Sequence, residues 1–310
     1  LPVDFFVNFR QNAIEGENRL FHVFPRLQKL LYYASFRGRC SGSTRVEEEK
    51  MERTNESRVR LRTYSVLWLL VLGALSSFAV AAGKPVPFRS GERITLTISW
   101  SDQVSAATMT LDVGQKQTLS GVPCYLLRAE LKPSALIGKL YPVYYKIESL
   151  LAEASLLPQK SSMYSREKSR VRQKFTHFDR KAGHIHYTYL TKTEQKKVFP
   201  AASGVLDILS WLYVLRTLPL QAGTIGPFQI TENGKLFTMR CQVTRSAAVN
   251  TELGKLPVWR LAPRVESAGG EKVPRNMFLW ISGDERRLPL RFEVELPVGK
   301  FVAMMSGYSR

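Results

Sequence analysis

From Arg93 onward, apolar and polar residues alternate with period two: Ile94, Leu96, Ile98 and Trp100 fall on one face, Thr95, Thr97 and Ser99 on the other. Such alternation predicts a half-buried β-strand. It returns in Ala107, Met109, Leu111 and Val113 against Thr108, Thr110 and Asp112, and again in Tyr125, Leu127, Ala129 and Leu131. Successive strands at this spacing favour an antiparallel meander. Further strands are predicted at Tyr141–Leu151, Gln159–Arg166, Arg170–Phe178, His184–Lys192, Thr224–Thr231, Lys235–Arg245, Leu256–Val265, Met277–Ser282, Leu290–Leu296 and Lys300–Tyr308. Asn233-Gly234 supplies a type I′ hairpin turn between two of them.

One segment breaks the period. Ser203 can cap a helix over 203–217 in which Leu206, Ile208, Leu209, Leu212, Tyr213 and Leu215 cover most of the circumference. Only a narrow polar stripe of Asp207, Ser210 and Thr217 is left, so the helix must be largely buried. Asp207 in its first turn and Arg216 in its last suit the helix dipole, and Pro219 and Gly223 end it.

A different pattern precedes the strands. Met51 opens a stretch with a positive region at Arg58, Arg60 and Arg62, an unbroken apolar run from Val66 to Leu75, and Ala79-Val80-Ala81. These are the three parts of a signal peptide in the required order. Residues 51–82 are therefore expected to be a cleaved leader, residues 1–50 an upstream extension outside the mature protein, and residues 83–310 a single exported β-rich domain. Translation of residues 1–50 would instead leave the apolar run as an uncleaved inner-membrane anchor, with the C-terminal domain periplasmic. No lipidation cysteine precedes the cleavage site.

Charge narrows the partners. Of a formal net charge of +19, residues 83–310 contribute 33 Lys and Arg against 18 Asp and Glu, a net +15. Nucleic acid would come first in a cytosolic protein, but no nucleic-acid-binding motif is present and export removes the substrate. Anionic lipid, lipopolysaccharide or an acidic envelope polymer takes its place. Cys40, Cys124 and Cys241 form no C-x-x-C pair, and alternation points Cys241 inward and Cys124 outward, which disfavours a bridge between them.

Several pieces in order resemble a bacterial family of exported proteins, domain of unknown function 3108. They are Gly91-Glu92-Arg93-Ile94-Thr95-Leu96-Thr97-Ile98-Ser99-Trp100, Gly121-Val122-Pro123-Cys124-Tyr125, Leu157-Pro158, the helix Val205 to Arg216, and Asp284-Glu285-Arg286-Arg287-Leu288-Pro289-Leu290. Leu96, where the family often carries an aromatic, and Ala106-Ala107, where it carries a glycine, depart from the pattern without disturbing a β reading. The resemblance implies a mainly β fold, a curved antiparallel sheet or partly open β-barrel with one packed α-helix, preceded by a signal peptide. It brings no activity and no cofactor.

The residues themselves offer two candidate sites. His177, Asp179, His184 and His186 are a zinc-compatible ligand set. A four-residue loop over 180–183 would set Asp179 opposite His184 and His177 opposite His186, whereas a type I turn with a Gly183 bulge pairs Arg180 with His184 and separates the ligands. The second register is expected, because it aligns Val171, Phe175 and His177 with Ile185, Tyr187 and Tyr189 into one apolar side. The other site is a basic ladder, Arg166, Lys168, Arg170, Arg172 and Lys174, which one uninterrupted strand would align along one side. It reads either as a solvated face or as a docking surface for an anionic partner.

No G-x-S-x-G elbow, phosphate loop, H-E-x-x-H or dinucleotide fingerprint occurs. The expectation is a non-catalytic cell-envelope protein of the periplasm that holds an amphiphile on its concave face or docks to an anionic surface. The alternatives are a metal-dependent hydrolase at the His177–His186 hairpin and an outer-membrane barrel.

Overall fold

The computed structural model describes residues 85–100, 104–251, 253–266, 276–296 and 299–310. The predicted leader, the upstream extension and Cys40 lie outside these residues. The strands are β1 (Arg93–Trp100), β2 (Val104–Val113), β3 (Gln117–Leu119), β4 (Val122–Pro133), β5 (Val143–Ala152), β6 (Pro158–Glu167), β7 (Arg170–Asp179) and β8 (His184–Leu190). They continue with β9 (Glu194–Pro200), β10 (Gly223–Glu232), β11 (Lys235–Thr251), β12 (Gly254–Glu266), β13 (Met277–Ser282), β14 (Pro289–Leu296) and β15 (Gly299–Ser309). Two helices join them, α1 (Ala135–Leu140) and α2 (Ile208–Thr217).

All strands belong to one antiparallel sheet ordered β10-β11-β12-β13-β14-β15-β1-β2-β4-β5-β6-β7-β8-β9, with short β3 beside β4. Paired strands are successive in sequence, as the meander reading requires, except that β2 pairs β4 past the short β3 and β15 joins β1, while β9 and β10 fall at opposite edges. Asn233 and Gly234 take positive φ of 53° and 67°, the type I′ geometry expected of them. Because β9 and β10 remain at opposite edges, the sheet curves without closing. A lipid-spanning β structure needs closure, so the outer-membrane-barrel alternative loses its basis.

The concave side holds the core. Ile94, Leu96 and Ile98 are buried with Met109, Leu111, Leu127 and Leu131, the inward rows that alternation marks out. α2 lies against them and buries Leu209, Trp211, Leu212, Tyr213 and Leu215. Phe88 packs edge-on between Tyr125 and Tyr213, with ring centroids at 5.3 and 5.0 Å. Each such apolar side chain contributes about 1.5–3 kcal/mol by leaving water.

α2 starts later than the sequence reading places it. Its cap is Asp207, whose carboxylate accepts from the backbone N–H of Leu209 and Ser210 at 3.0 and 2.9 Å, and not Ser203. The reason lies across the open edge: Leu206 is still extended, its N–H donating to Gln229 O and its carbonyl accepting from Thr231 N of β10. Of the polar stripe, Asp207 and Ser210 are buried and Thr217 half-buried; Ser149 and Ser210 both donate to Asp207 Oδ2, at 2.7 and 2.8 Å. Burial pushes the Asp207 carboxyl above its ordinary range.

At the other end of α2, Arg216 is 1% exposed. It grips Glu92 with both terminal nitrogens, at 2.6 and 3.0 Å, and donates to the carbonyls of Arg286 and Arg287. Its guanidinium also lies over the rings of Phe88 and Tyr213. One arginine thus ties the helix to the segment before β1 and to the β13–β14 connection.

Three elements have no counterpart in the sequence reading: β3, only three residues long, β9 and α1. β9 is exposed along nearly its whole length, so it carries no alternation to detect. α1 buries none of its six residues and therefore shows no apolar face toward the core. Cys241 is buried as expected, but Cys124, expected outward, is buried too, where β3 pairs beside it; both thiols are free.

Candidate functional site

The basic ladder does not lie on one strand. β6 ends at Glu167 and β7 begins at Arg170, with Lys168 in the turn at a left-handed φ of 52°. Burial of the inward β6 row explains the break: Met163, Ser165 and Glu167 face the concave side, and Glu167 finds its partners there. Tyr145 donates to the Glu167 carboxylate, and Arg172 pairs with it at 3.1 Å. Desolvation, with the carboxylate adding to it, pushes the Tyr145 phenol far up.

The five cations consequently divide. Arg172 is buried and Lys174 half-buried on the inner side of β7, where Lys174 donates to Asn233 Oδ1 and stands 5.9 Å from the centre of the Tyr189 ring. Arg166, Lys168 and Arg170 are exposed around the turn. Lys168 stands over Tyr141 at 5.6 Å, and its N–H donates to Pro142 O, which fastens the turn to the start of β5.

Strand direction decides what else shares this end. α1 joins β4 to β5, and the β6–β7 and β8–β9 turns return at the same end, two strands apart each time. Three connections thus stand in a row about 20 Å long. They present Lys139, Arg166, Lys168, Arg170 and Lys192, all exposed. Among the described residues, acids nearby have partners: Glu130 has Lys132 and Tyr144, Glu167 has Arg172 and Tyr145, and Glu194 has Lys196. The bond from Tyr144 holds the Glu130 carboxyl below its usual range, while burial with that same bond pushes Tyr144 to about 12.

The outer face further along the sheet is arranged otherwise. The cross-strand row Arg93, Asp112, Arg128, Glu148 alternates in charge, with ion pairs of 2.5 Å for Arg93–Asp112 and 2.9 Å for Arg128–Glu148. Two open depressions of about 510 and 240 Å³ flank Arg128, the first lined in part by Arg93 and Asp112 and the second by Glu148. On the concave side the space among Ile147, Met163, Lys174, Tyr187, Asp207 and Asn233 measures about 40 Å³.

The histidine hairpin takes the register that the sequence reading set aside. Asp179 lies opposite His184 and His177 opposite His186. The deciding contact is Phe178 with Ile185, both buried against Val205 from the segment before α2. Arg180 reinforces it by donating to the carbonyls of Pro158, Ser203 and Val205. All four candidate ligands thereby reach the outer face, with the His177 and His186 rings 6.1 Å apart. Asp179 turns back on the loop and accepts from Ala182 N, the bond that holds its carboxyl below the ordinary value, and His184 Nδ1 sits 2.7 Å from Ala182 O. Among the described residues no three His, Cys, Asp or Glu side chains gather as a metal-holding group.

These features define a curved, open, antiparallel sheet with one helix packed against it and a group of exposed cations at one end. The profile of the protein family of unknown function DUF3108 matches residues 95–306, and the chain belongs to that family. No curated protein sequence matches it. Among solved structures, it is similar to a β-barrel-like DUF1849 protein of Brucella abortus at 6% identity and a TM-score of 0.46, over 70% of this chain and 96% of that one. A lipoprotein candidate of Parabacteroides distasonis follows at 7% identity and 0.32, over 72% and 98%. An exported-protein candidate with a YmcC-like fold from Bacteroides fragilis stands at 10% and 0.25, over 73% and 98%.

Proposed function

We propose that the protein is a non-catalytic component of the bacterial cell envelope that docks to an anionic partner through the end of the sheet bearing α1 and the β6–β7 turn. The observation that supports this reading is the gathering of Lys139, Arg166, Lys168, Arg170 and Lys192, all exposed, at one end of the sheet. The leader pattern at Met51 to Ala82 supports an envelope location. In this reading Arg172 and Lys174, members of the predicted ladder, serve the fold.

The test replaces Arg166, Lys168 and Arg170 with Gln. Each cation near an anionic surface contributes about 1 kcal/mol, so binding to anionic vesicles or a soluble polyanion should weaken by up to about 150-fold. Screening supplies the control: wild-type binding should fall steeply between 0.1 and 1 M salt, where the Debye length drops from about 10 to about 3 Å, and the variant's should fall less. Equal, salt-insensitive binding of the two proteins would leave this end a solvated surface.

A further inference from the structure

α1 exposes two leucines. Leu136 and Leu140 are 63% and 67% exposed, and their spacing of four residues places them on one face of the helix. Six large apolar side chains are exposed among the described residues, and four of them, Trp100, Leu136, Leu140 and Val171, lie at this same end. Trp100 closes β1, Val171 follows the basic turn, and α1 abuts the start of β2 through the Ser134 N–H to Ala106 O bond. Lys139 and the exposed cations of the turn border them. A soluble anionic polymer offers cations a partner and gives the leucines nothing. Apolar side chains ringed by cations, with tyrosines behind them, match the layering of an anionic bilayer, in which headgroups lie above an acyl boundary.

We infer that α1 is a membrane wedge: Leu136 and Leu140 enter the acyl boundary of an anionic bilayer while Lys139, Arg166, Lys168 and Arg170 lie among its headgroups. The inference rests on the docking reading above and narrows its partner to lipid.

The experiment expresses the full chain, purifies the exported product, and compares wild type with Leu136→Ser/Leu140→Ser on phosphatidylcholine vesicles with and without phosphatidylglycerol, and on soluble polyglutamate. Removing both leucines should weaken binding to the anionic vesicles by about a hundredfold, roughly tenfold for each, and leave polyglutamate binding and the melting temperature unchanged. A second measurement reads insertion locally. A nitrobenzoxadiazole dye attached at Leu136→Cys should shift its emission to the blue on the anionic vesicles, while the same dye at Val122→Cys, at the opposite end, should not. Wild-type affinity in the double serine variant, or an unshifted dye at position 136, overturns the wedge and leaves charge docking intact. Binding to polyglutamate without binding to vesicles does the same. Binding to neither overturns both readings.

Discussion

The two ends of this sheet use the same kinds of side chain to opposite effect. At the α2 end, Arg216 is enclosed by Glu92, two carbonyls and the rings of Phe88 and Tyr213, and nothing of it reaches solvent. At the α1 end, arginine, lysine, leucine and tyrosine again lie together, yet Arg166, Lys168, Leu136 and Leu140 face water. An enclosed cation fixes the fold, because leaving its partner alone in the core is costly. An exposed one hardly touches stability and remains available for a partner. Charge by itself separates neither case; enclosure does.

The sharpest way to break that contrast is to remove one half of the enclosed pair. Arg216→Met should cost about 3–5 kcal/mol by stranding the Glu92 carboxylate, and Glu92→Gln should cost less because its amide still accepts from the guanidinium. Urea denaturation of both variants checks this. A cost below about 1 kcal/mol for Arg216→Met would mean that the enclosed arginine does not anchor α2.

Next in size is Asp207. Asp207→Ala removes a helix cap and leaves the buried Ser149 and Ser210 hydroxyls only each other as partners, for a loss of about 2–4 kcal/mol. Asp207→Asn keeps the cap and removes the titration. The folded carboxyl holds its proton to higher pH than the unfolded one, so the native state binds more protons in the window above about pH 4. Wild-type stability should therefore decline relative to Asp207→Asn as pH rises from about 4 until the folded group has ionised. Denaturation curves at several pH values test the direction; a wild type that gains stability relative to Asp207→Asn as pH rises contradicts it.

How much of this was legible beforehand follows from where each signal resides. The inward rows Ile94–Leu96–Ile98 and Met109–Leu111 were readable because burial on one face imposes alternation on the sequence itself. α2 was readable for the same reason, from its nearly continuous apolar surface. Its first residue was not, since Asp207 prevails over Ser203 through backbone bonds between Leu206 and β10, a distant part of the chain. The hairpin register failed likewise: Phe178 and Ile185 are chosen by Val205, which lies outside the hairpin. The ladder was visible as charge, but its division depended on Tyr145, a residue of β5, receiving Glu167 into the core. α1 carried only a cap at Ser134 and two leucines four apart, a signal too short to separate from strand flanks.

The smallest expected effect is at Arg170, and a neighbour on the same strand tests the contrast at close range. Arg170 and Arg172 stand two residues apart on β7 and point to the same side, but only Arg172 is buried, against a Glu167 that is 4% exposed. Arg172→Gln should remove the buried ion pair of that carboxylate and cost about 3 kcal/mol. Arg170→Gln, alone or with Arg166→Gln and Lys168→Gln, should change stability by no more than about 0.5 kcal/mol, since these side chains are exposed. In vesicle binding the order should reverse: Arg170→Gln weakens it, and Arg172→Gln, measured well below its melting temperature, does not. If the two substitutions cost the same in denaturation, enclosure is not what divides the ladder, and the separation of architectural from available cations fails at the point where it is most closely drawn.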